Sequence, residues 1–361
     1  RVFIIIMPLF KAHILFQLLA LYPIVVTAFQ ISPHTVGISH HDLASSKVGI
    51  GLRASNAEVF ETENNILLLE HVNINHEAGR HDLVKAFYFD ILGCAVDARR
   101  AQNLELGRKT LWANIGINQF HLPEAEVAQV IPGKVVLTYP DLQSVKSKLN
   151  QASDVLKGTK FDWSENDDGT IAVSCPWGNK MELIHDGGVG KDPRGKQEDN
   201  KESEGTALKE VHIYVQHNAN LAGIMRFYEK VLGAKVNLEK DSVEVEMGPY
   251  HSLVFSKQPQ GTVIPEYDGH HVAIYVADLA KSFENADAKG LVFINPRFKD
   301  KADTLEKALE IHQFRLLNIV DPEDSEGKTI LQLEHEVRSA DRPSCPFTRT
   351  ESEQIAKAIS N

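Results

Sequence analysis

Cysteine is scarce in this chain: Cys94, Cys175 and Cys345 are the only three in 361 residues. They are odd in number and far apart, which excludes a disulfide framework and a CxxC zinc pattern and points to a reducing compartment. Cys175 precedes Pro176 with no base near it in sequence, so a reactive thiol is not expected there. Positive charge is also short. There are 38 Lys and Arg against 49 Asp and Glu, a net charge of −11. With no basic stripe to offset this, phosphate-backbone recognition is excluded and nucleic acid is not an expected partner. Long apolar runs are missing beyond the N-terminal 28 residues, and what remains has an ordinary globular balance, 43% hydrophobic and 24% charged. That length is enough for two domains.

The N-terminal 60 residues read as an address. The chain starts at Arg1, and Met7 is a candidate initiator. From Met7 there is a short region with Lys11, an apolar core Ile14–Val26, then Thr27-Ala28. The core is about thirteen residues with Pro23 inside it, short of the roughly 20 needed to span a bilayer, so a cleaved signal is expected rather than an anchor. Phe29 follows the small-residue site, and the next stretch carries Ser, His, Lys and Arg but only Asp42 as an acid. This resembles the bipartite signal and transit presequence of algae with secondary plastids, which implies a plastid address and no membrane association after its removal; secretion is the alternative.

What is present downstream is period-two alternation with histidines on it. In EVHIYV (210–215), Val211, Ile213 and Val215 share a face opposite His212 and Tyr214; in GHHVAIYV (269–276), His271, Ala273 and Tyr275 oppose Val272, Ile274 and Val276. Each reads as a strand with one packed face. Were the strands side by side, two such histidines could meet at one metal; otherwise they stand at unrelated half-exposed positions. His270 points the other way and reads as structural.

The pattern repeats. LEHVNIN (69–75) and a helix over 82–93 match VHIYVQ (211–216) and a helix over 220–233, sharing Phe-Tyr and a closing Leu-Gly. WANIGINQFHL (112–122) corresponds to EVEMGPYHSLVF (244–255), KVVLTYPDL (134–142) to HVAIYVADL (271–279), and GNKMELI (178–184) to GKTILQLE (327–334), with Lys134 in the place of His271. We therefore expect an α+β fold of two tandem domains, 66–186 and 208–338, each strand–helix–three strands done twice. Residues 187–207 read as a flexible linker and 339–361 as a mobile tail. KADTLEKALEIHQ (301–313) reads as an extra helix, a lid or an edge cover. Glu336 and Arg338 read as a surface pair.

On LEHVNI with FYFDILG, GNKMELI, VHIYV with FYEKVLG, and HHVAIYVADL, the chain resembles the vicinal oxygen chelate superfamily of glyoxalase I, extradiol dioxygenases and bleomycin- and fosfomycin-resistance proteins. The resemblance implies paired βαβββ units curled into open cups with helices outside. It also implies a divalent metal, Fe2+ first and Ni2+, Zn2+ or Mn2+ as alternatives, that chelates a small substrate through two adjacent oxygens. Carried over, the ligands are His212, His271 and a carboxylate of the last strand. The family pattern of glycine, three residues, glutamate is kept by Gly178 and Glu182, but Gly327 is followed by Leu331, leaving Gln332 or Glu334; Glu334 is preferred because a carboxylate holds a dication better. The alternative set is His71, His121 and Glu182, where Lys134 would repel a metal or pair with Glu182 and leave the cup metal-free. Glu334, or Glu182, is then a candidate general base, and Tyr275, with Tyr214, a candidate donor to a substrate oxygen. Expected is a metalloenzyme of dioxygenase or lactoylglutathione lyase type, with a homodimer as one assembly; the alternative is a metal-free small-molecule binding or sequestering protein on the same fold.

Overall fold

The computed structural model describes residues 64–152, 154–188, 192 and 202–347. The expected presequence lies outside them. They fall in one compact unit, which spans Phe60–Asn361. Among the described residues no helix is long and apolar enough to cross a membrane.

Four βαβββ units follow one another. The first holds β1 (Ile66–Asn73), the short β2 (His76–Glu77), α1 (His81–Val84, continuing as π-helix through Lys85–Ile91), β3 (Ala95–Val96), α2 (Ala101–Leu106), β4 (Leu111–Ile115), β5 (Asn118–Leu122) and the short β6 (Glu124–Ala125). The second holds β7 (Gly133–Tyr139), α3 (Leu142–Asn150), β8 (Asp162–Glu165), β9 (Ile171–Ser174) and β10 (Lys180–His185). The third holds β11 (Ala207–Val215), α4 (Leu221–Leu232), β12 (Val236–Leu238), β13 (Ser242–Glu246) and β14 (Ser252–Lys257). The fourth holds β15 (His271–Val276), α5 (Leu279–Asp287), α6 (Leu305–Ile311), β16 (Gln313–Val320) and β17 (Thr329–Ser339); its first short strand is reduced to a bridge between Val292 and Leu316.

Local chemistry sets these elements. In α4 the residues Leu221, Ile224, Phe227, Tyr228, Val231 and Leu232 are buried at helical spacing. Asn220 caps its N-terminus by accepting from Gly223 N–H, and Gly233, at φ +62, closes its C-terminus. Truncating fully buried Phe227 to Ala would cost roughly 3–5 kcal/mol by the usual cavity scale.

The units pair in an order that the sequence does not announce. One sheet runs β16-β17-β15-β1-β5-β4-β3, joining the first unit to the fourth; the other runs β12-β13-β14-β11-β7-β10-β9-β8, joining the second to the third. β1 and β15 meet antiparallel at the middle of the first sheet, and β11 and β7 at the middle of the second. The α+β architecture of paired βαβββ units is as expected, but the chain-order stretches 66–186 and 208–338 each give one unit to each sheet. The reason is closure: each central pair is made by first strands of units from opposite halves, so neither half forms a cup alone.

Three smaller expectations change. The stretch after residue 338 is anchored as far as 347: Cys345 is fully buried and, with Phe347, packs on Leu67, Leu68, Ile117 and Tyr275. The C-terminal end of the linker is pinned too, with Glu204 N–H donating to Gly93 O and Gly116 N–H to Ser203 Oγ. α6 packs on α5 and β16 through buried Ala308, which is the edge-cover reading.

Candidate metal centre

The concave face of the first sheet carries its chemistry in two cross-strand rows. In one, His71 on β1 stands opposite Ala273 on β15, which stands opposite Glu336 on β17, which in turn faces Arg315 on β16. In the other, His121 on β5 faces Asn73 on β1, which faces His271 on β15, which faces Glu334 on β17. The methyl of Ala273 fills little of the first row and leaves space between His71 and Glu336. Across the rows, ligand atoms of His71, His271 and Glu336 all lie within 4.8 Å of one another, and all three residues are buried.

His71 is set by a break in the ladder. Between Leu69 and His71 the register against β15 shifts, leaving Glu70 as the extra residue. Its Oε2 lies 3.0 Å from His71 Nδ1. That contact makes Nδ1 the donor and leaves the lone pair on Nε2, a buried atom with no hydrogen-bond partner. His71 stacks on His121 with centroids 3.6 Å apart, and His121 stacks on Trp112 at 4.5 Å. The His121 Nε2–H donates to Gln119 Oε1 at 3.0 Å; the amide oxygen is the acceptor because Gln119 Nε2 already donates to Asp97 and Asn114. His271 Nε2 is 3.9 Å from Glu336 Oε2.

Protonation states follow from the surroundings. Burial, then the charge of Arg338, lowers the His71 pKa well below the usual histidine range; burial, then His71, does the same to His121 and His271. All three imidazoles are therefore neutral near pH 7 and keep a lone pair. Burial works to raise the Glu336 pKa, but Arg338 and Arg315 hold it well below the carboxylate range. Arg338 bonds Glu336 at 2.7 Å and pairs with Glu70; Arg315 lies 3.2 Å from Glu336. Glu70, Asp300, Glu334 and Glu336 against Arg315, Arg338 and Arg342 leave a net negative charge in the cluster. Neutral nitrogen donors, an ionised carboxylate, an orphaned buried lone pair and surplus negative charge fit a dication.

The predicted residues distribute as follows. His271 is in the cluster. His71 and His121 of the alternative set come together with it, but Glu182 is in the other sheet. Glu334 shares the face but is consumed: Asn295 donates to both its oxygens at 3.0 and 2.8 Å, Arg315 bonds it at 2.8 Å, and Tyr267 lies 3.4 Å away. Gln332 is exposed and donates to Asn318. Glu336 and Arg338, read from sequence as a surface pair, are instead buried inside the cup. Tyr275 is fully buried in the apolar cluster under Cys345, and burial raises its pKa, so nothing assigns it a donor role at the centre. Glu336 was missed through register. The sequence put Gln332 and Glu334 on one face, and the same alternation carries it on to Glu336 and Arg338; the glycine-based offset fails because the loop before β17 is longer than the one before β10.

His212 and His271 do not meet, because they lie in different sheets. In the second sheet His212 faces Lys134, as Asn73 faces His271 in the first. The rank of His71 is therefore taken by Glu210, that of His271 by Lys134 and that of Glu336 by Glu182. His212 Nε2 lies 2.7 Å from Glu210, and Lys134 pairs with Glu182. Lys134 and Glu182 thus line an open hollow of about 210 Å³, together with Lys180, Ser174 and Tyr214. Lys134 pairs with Glu182, one of the two outcomes the sequence allowed for.

Residues 211–327 match the Glyoxalase/Bleomycin resistance protein/Dioxygenase superfamily. Over that stretch the chain is similar to this superfamily. No curated protein matches it significantly. Solved structures similar to this chain include glyoxalase I from Zea mays, at 17% identity and TM-score 0.46, covering 78% of this chain and 94% of that one. The 2,2',3-trihydroxybiphenyl 1,2-dioxygenase from Sphingomonas wittichii is 12% identical with TM-score 0.27, covering 76% and 90%. A 2,3-dioxygenase from Pseudomonas sp. KL28 is 14% identical with TM-score 0.27, covering 77% and 93%. At these values the likenesses carry no argument about activity, which rests on the site.

Proposed function

We propose that the cup of the first sheet is the centre of a metal-dependent enzyme acting on a small substrate with adjacent oxygens, extradiol-type oxygenation before lyase or isomerase chemistry. The observation that carries this is the convergence of buried His71, His271 and Glu336 within 4.8 Å. Two histidines and one carboxylate form a facial set suited to iron(II). Glu334, held by Arg315 and Asn295, and Glu70, held by Arg338, do not join the group that His71, His271 and Glu336 make, which favours one carboxylate ligand over the two of the lyase type. A bound dication would supply Lewis-acid polarisation of the paired substrate oxygens and, as iron, open positions for dioxygen. The chain supplies the rest. Glu70 orients His71 through Nδ1, and Arg338 and Arg315 keep Glu336 ionised. His121, neutral, with its proton on Nε2 toward Gln119, offers Nδ1 as the atom that accepts a proton from a substrate hydroxyl. A metal-free binding protein is the second reading, favoured by the guanidinium groups that already pair with Glu336.

Elemental analysis of the purified protein separates the two. We expect about one equivalent of metal at the cup, lost in His271→Ala and Glu336→Gln and kept in His212→Ala. Oxygen uptake over a panel of catechols is expected to respond, and a methylglyoxal–thiol assay to stay silent. If His271→Ala and Glu336→Gln carry as much metal as the parent, the enzyme reading fails. We further propose plastid delivery; residues 1–60 fused to a fluorescent reporter should enter plastids of an alga with secondary plastids, and a secreted reporter would contradict this.

A further inference from the structure

Outside the cup, His76 on β2, His81 at the start of α1 and Glu124 on β6 bring one ligand atom each within 4.8 Å of the others. The backbone makes this meeting. β2 and β6 pair in parallel with His76 opposite Glu124, fastened by His76 N–H to Pro123 O at 2.8 Å and Ala78 N–H to Ala125 O at 2.9 Å. A turn through Gly79, at φ +76, returns the chain so that the His81 ring meets the His76 ring edge-on at 4.7 Å.

Each side chain is already in a ligating state. His81 Nε2–H donates to Lys109 O at 2.9 Å, which puts the lone pair on Nδ1. That Nδ1 is buried, has no hydrogen-bond partner and lies 3.7 Å from Glu124 Oε1. His76 is 1% exposed and neither of its ring nitrogens is hydrogen-bonded; the carbonyls of Leu122 and Pro123 lie near it without bonding geometry. Burial, then His81, pushes its pKa down to about 4, so it is neutral. Glu124 accepts from Lys109 N–H at 2.5 Å and Gly79 N–H at 3.3 Å, and these bonds hold it below the usual carboxylate range against the effect of burial. Three buried ring nitrogens left without partners are costly unless something uses them.

We propose that His76, His81 Nδ1 and Glu124 form a second metal site, for Zn2+, separate from the cup. Ligand atoms 2.0–2.2 Å from a tetrahedral zinc stand roughly 3.4 Å apart; His81 Nδ1 and Glu124 Oε1 are 3.7 Å apart, and all three ligand atoms lie within 4.8 Å of one another. Two imidazoles and one carboxylate disfavour Ca2+ and Mg2+, which take oxygen ligands. The side chain of Glu124 is 24% exposed, which opens the fourth position to water. The ion would clamp β2, β6 and the first turn of α1 just beyond the strand that carries His71, a structural role.

The test uses the full chain, stripped with EDTA and reloaded with Zn2+ or, for its visible absorption, Co2+. In a Glu336→Gln or His271→Ala background, which removes the cup ligands, one equivalent of Zn2+ should remain, Co2+ should give a four-coordinate spectrum, and Zn2+ should raise the melting temperature. Adding Glu124→Gln or His81→Gln should abolish all three, or weaken Zn2+ binding about tenfold or more, with unchanged circular dichroism in EDTA. Retention of that equivalent by both added variants overturns the site, as does a Glu336→Gln chain that folds yet holds no Zn2+. A cup that proves metal-free leaves this stoichiometry as predicted.

Discussion

Buried neutral histidine is the recurring device at the level of single residues. His71, His76, His121, His271 and His335 are all held below the ordinary range by burial, His76 and His335 to about 4. In the unfolded chain each would titrate near 6.5. Between about pH 4 and 6.5 the unfolded state therefore binds more protons, so the stability these groups contribute is full above 6.5 and is lost as pH falls toward 4. We expect the urea midpoint of metal-free protein to be clearly lower at pH 5 than at pH 7; equal midpoints would contradict the neutral assignment. His335 also shows why residue roles are hard to read from a string. It occupies the helix-facing side of β17, hydrogen-bonded through Nε2 to the Tyr228 hydroxyl at 2.7 Å, while its neighbour Glu336 faces the cup. Alternation told these two apart. Only the register against β15 told Glu336 from Glu334.

Strands and helices were the most legible level. The alternation in 69–75, 134–142, 211–216 and 271–279 and the Phe-Tyr…Leu-Gly helices name elements that are all present, because burial of one face is a local property of spacing. The pairing of units was not legible, since four similar units offer similar edges and nothing local selects a partner. Contacts at turns carry that choice. The β13–β14 turn places Gly248, at φ +95, so that an added Cβ would sit 2.1 Å from Leu67 O; the β4–β5 turn places Gly116 where a Cβ would sit 1.9 Å from Thr206 O. Each hairpin tip of one sheet thus abuts the leading edge of the other, and Asn118 bonds both Leu69 O and Leu208 N–H. Gly248→Ala should cost about 2–4 kcal/mol from strain and the displaced backbone, read as a drop in urea midpoint. A change below 0.5 kcal/mol would show that the close approach is not needed. The pair His76 and His81 escaped sequence reading because a spacing of five fits neither a helix face nor a strand face.

For the whole molecule, the proposed cup ligands belong to opposite halves. His71, with His121 stacked on it, comes from the stretch 66–186, and His271 and Glu336 come from 208–338. Residues 64–188 and 202–347 expressed apart should each be poorly soluble, with the central strand of each sheet exposed as an edge, and neither should bind metal at the cup. Co-expressed, they should associate and recover it. A soluble, monomeric first half with native-like circular dichroism would show that this half closes a sheet by itself, against the topology described above.

The pairing of β1 with β15 has a consequence for biosynthesis. Arg338 and Glu70, which lock the two ends of the cup together, are separated by 268 residues. On a ribosome adding about 5–20 residues per second, the first strand waits many seconds for its neighbour, with its backbone groups open to other chains. Contacts this remote in sequence form slowly. Nascent chains of this protein should therefore lean on chaperones until the last unit emerges, and mutations that slow translation or truncate its final thirty or so residues should yield aggregate rather than a partly working product.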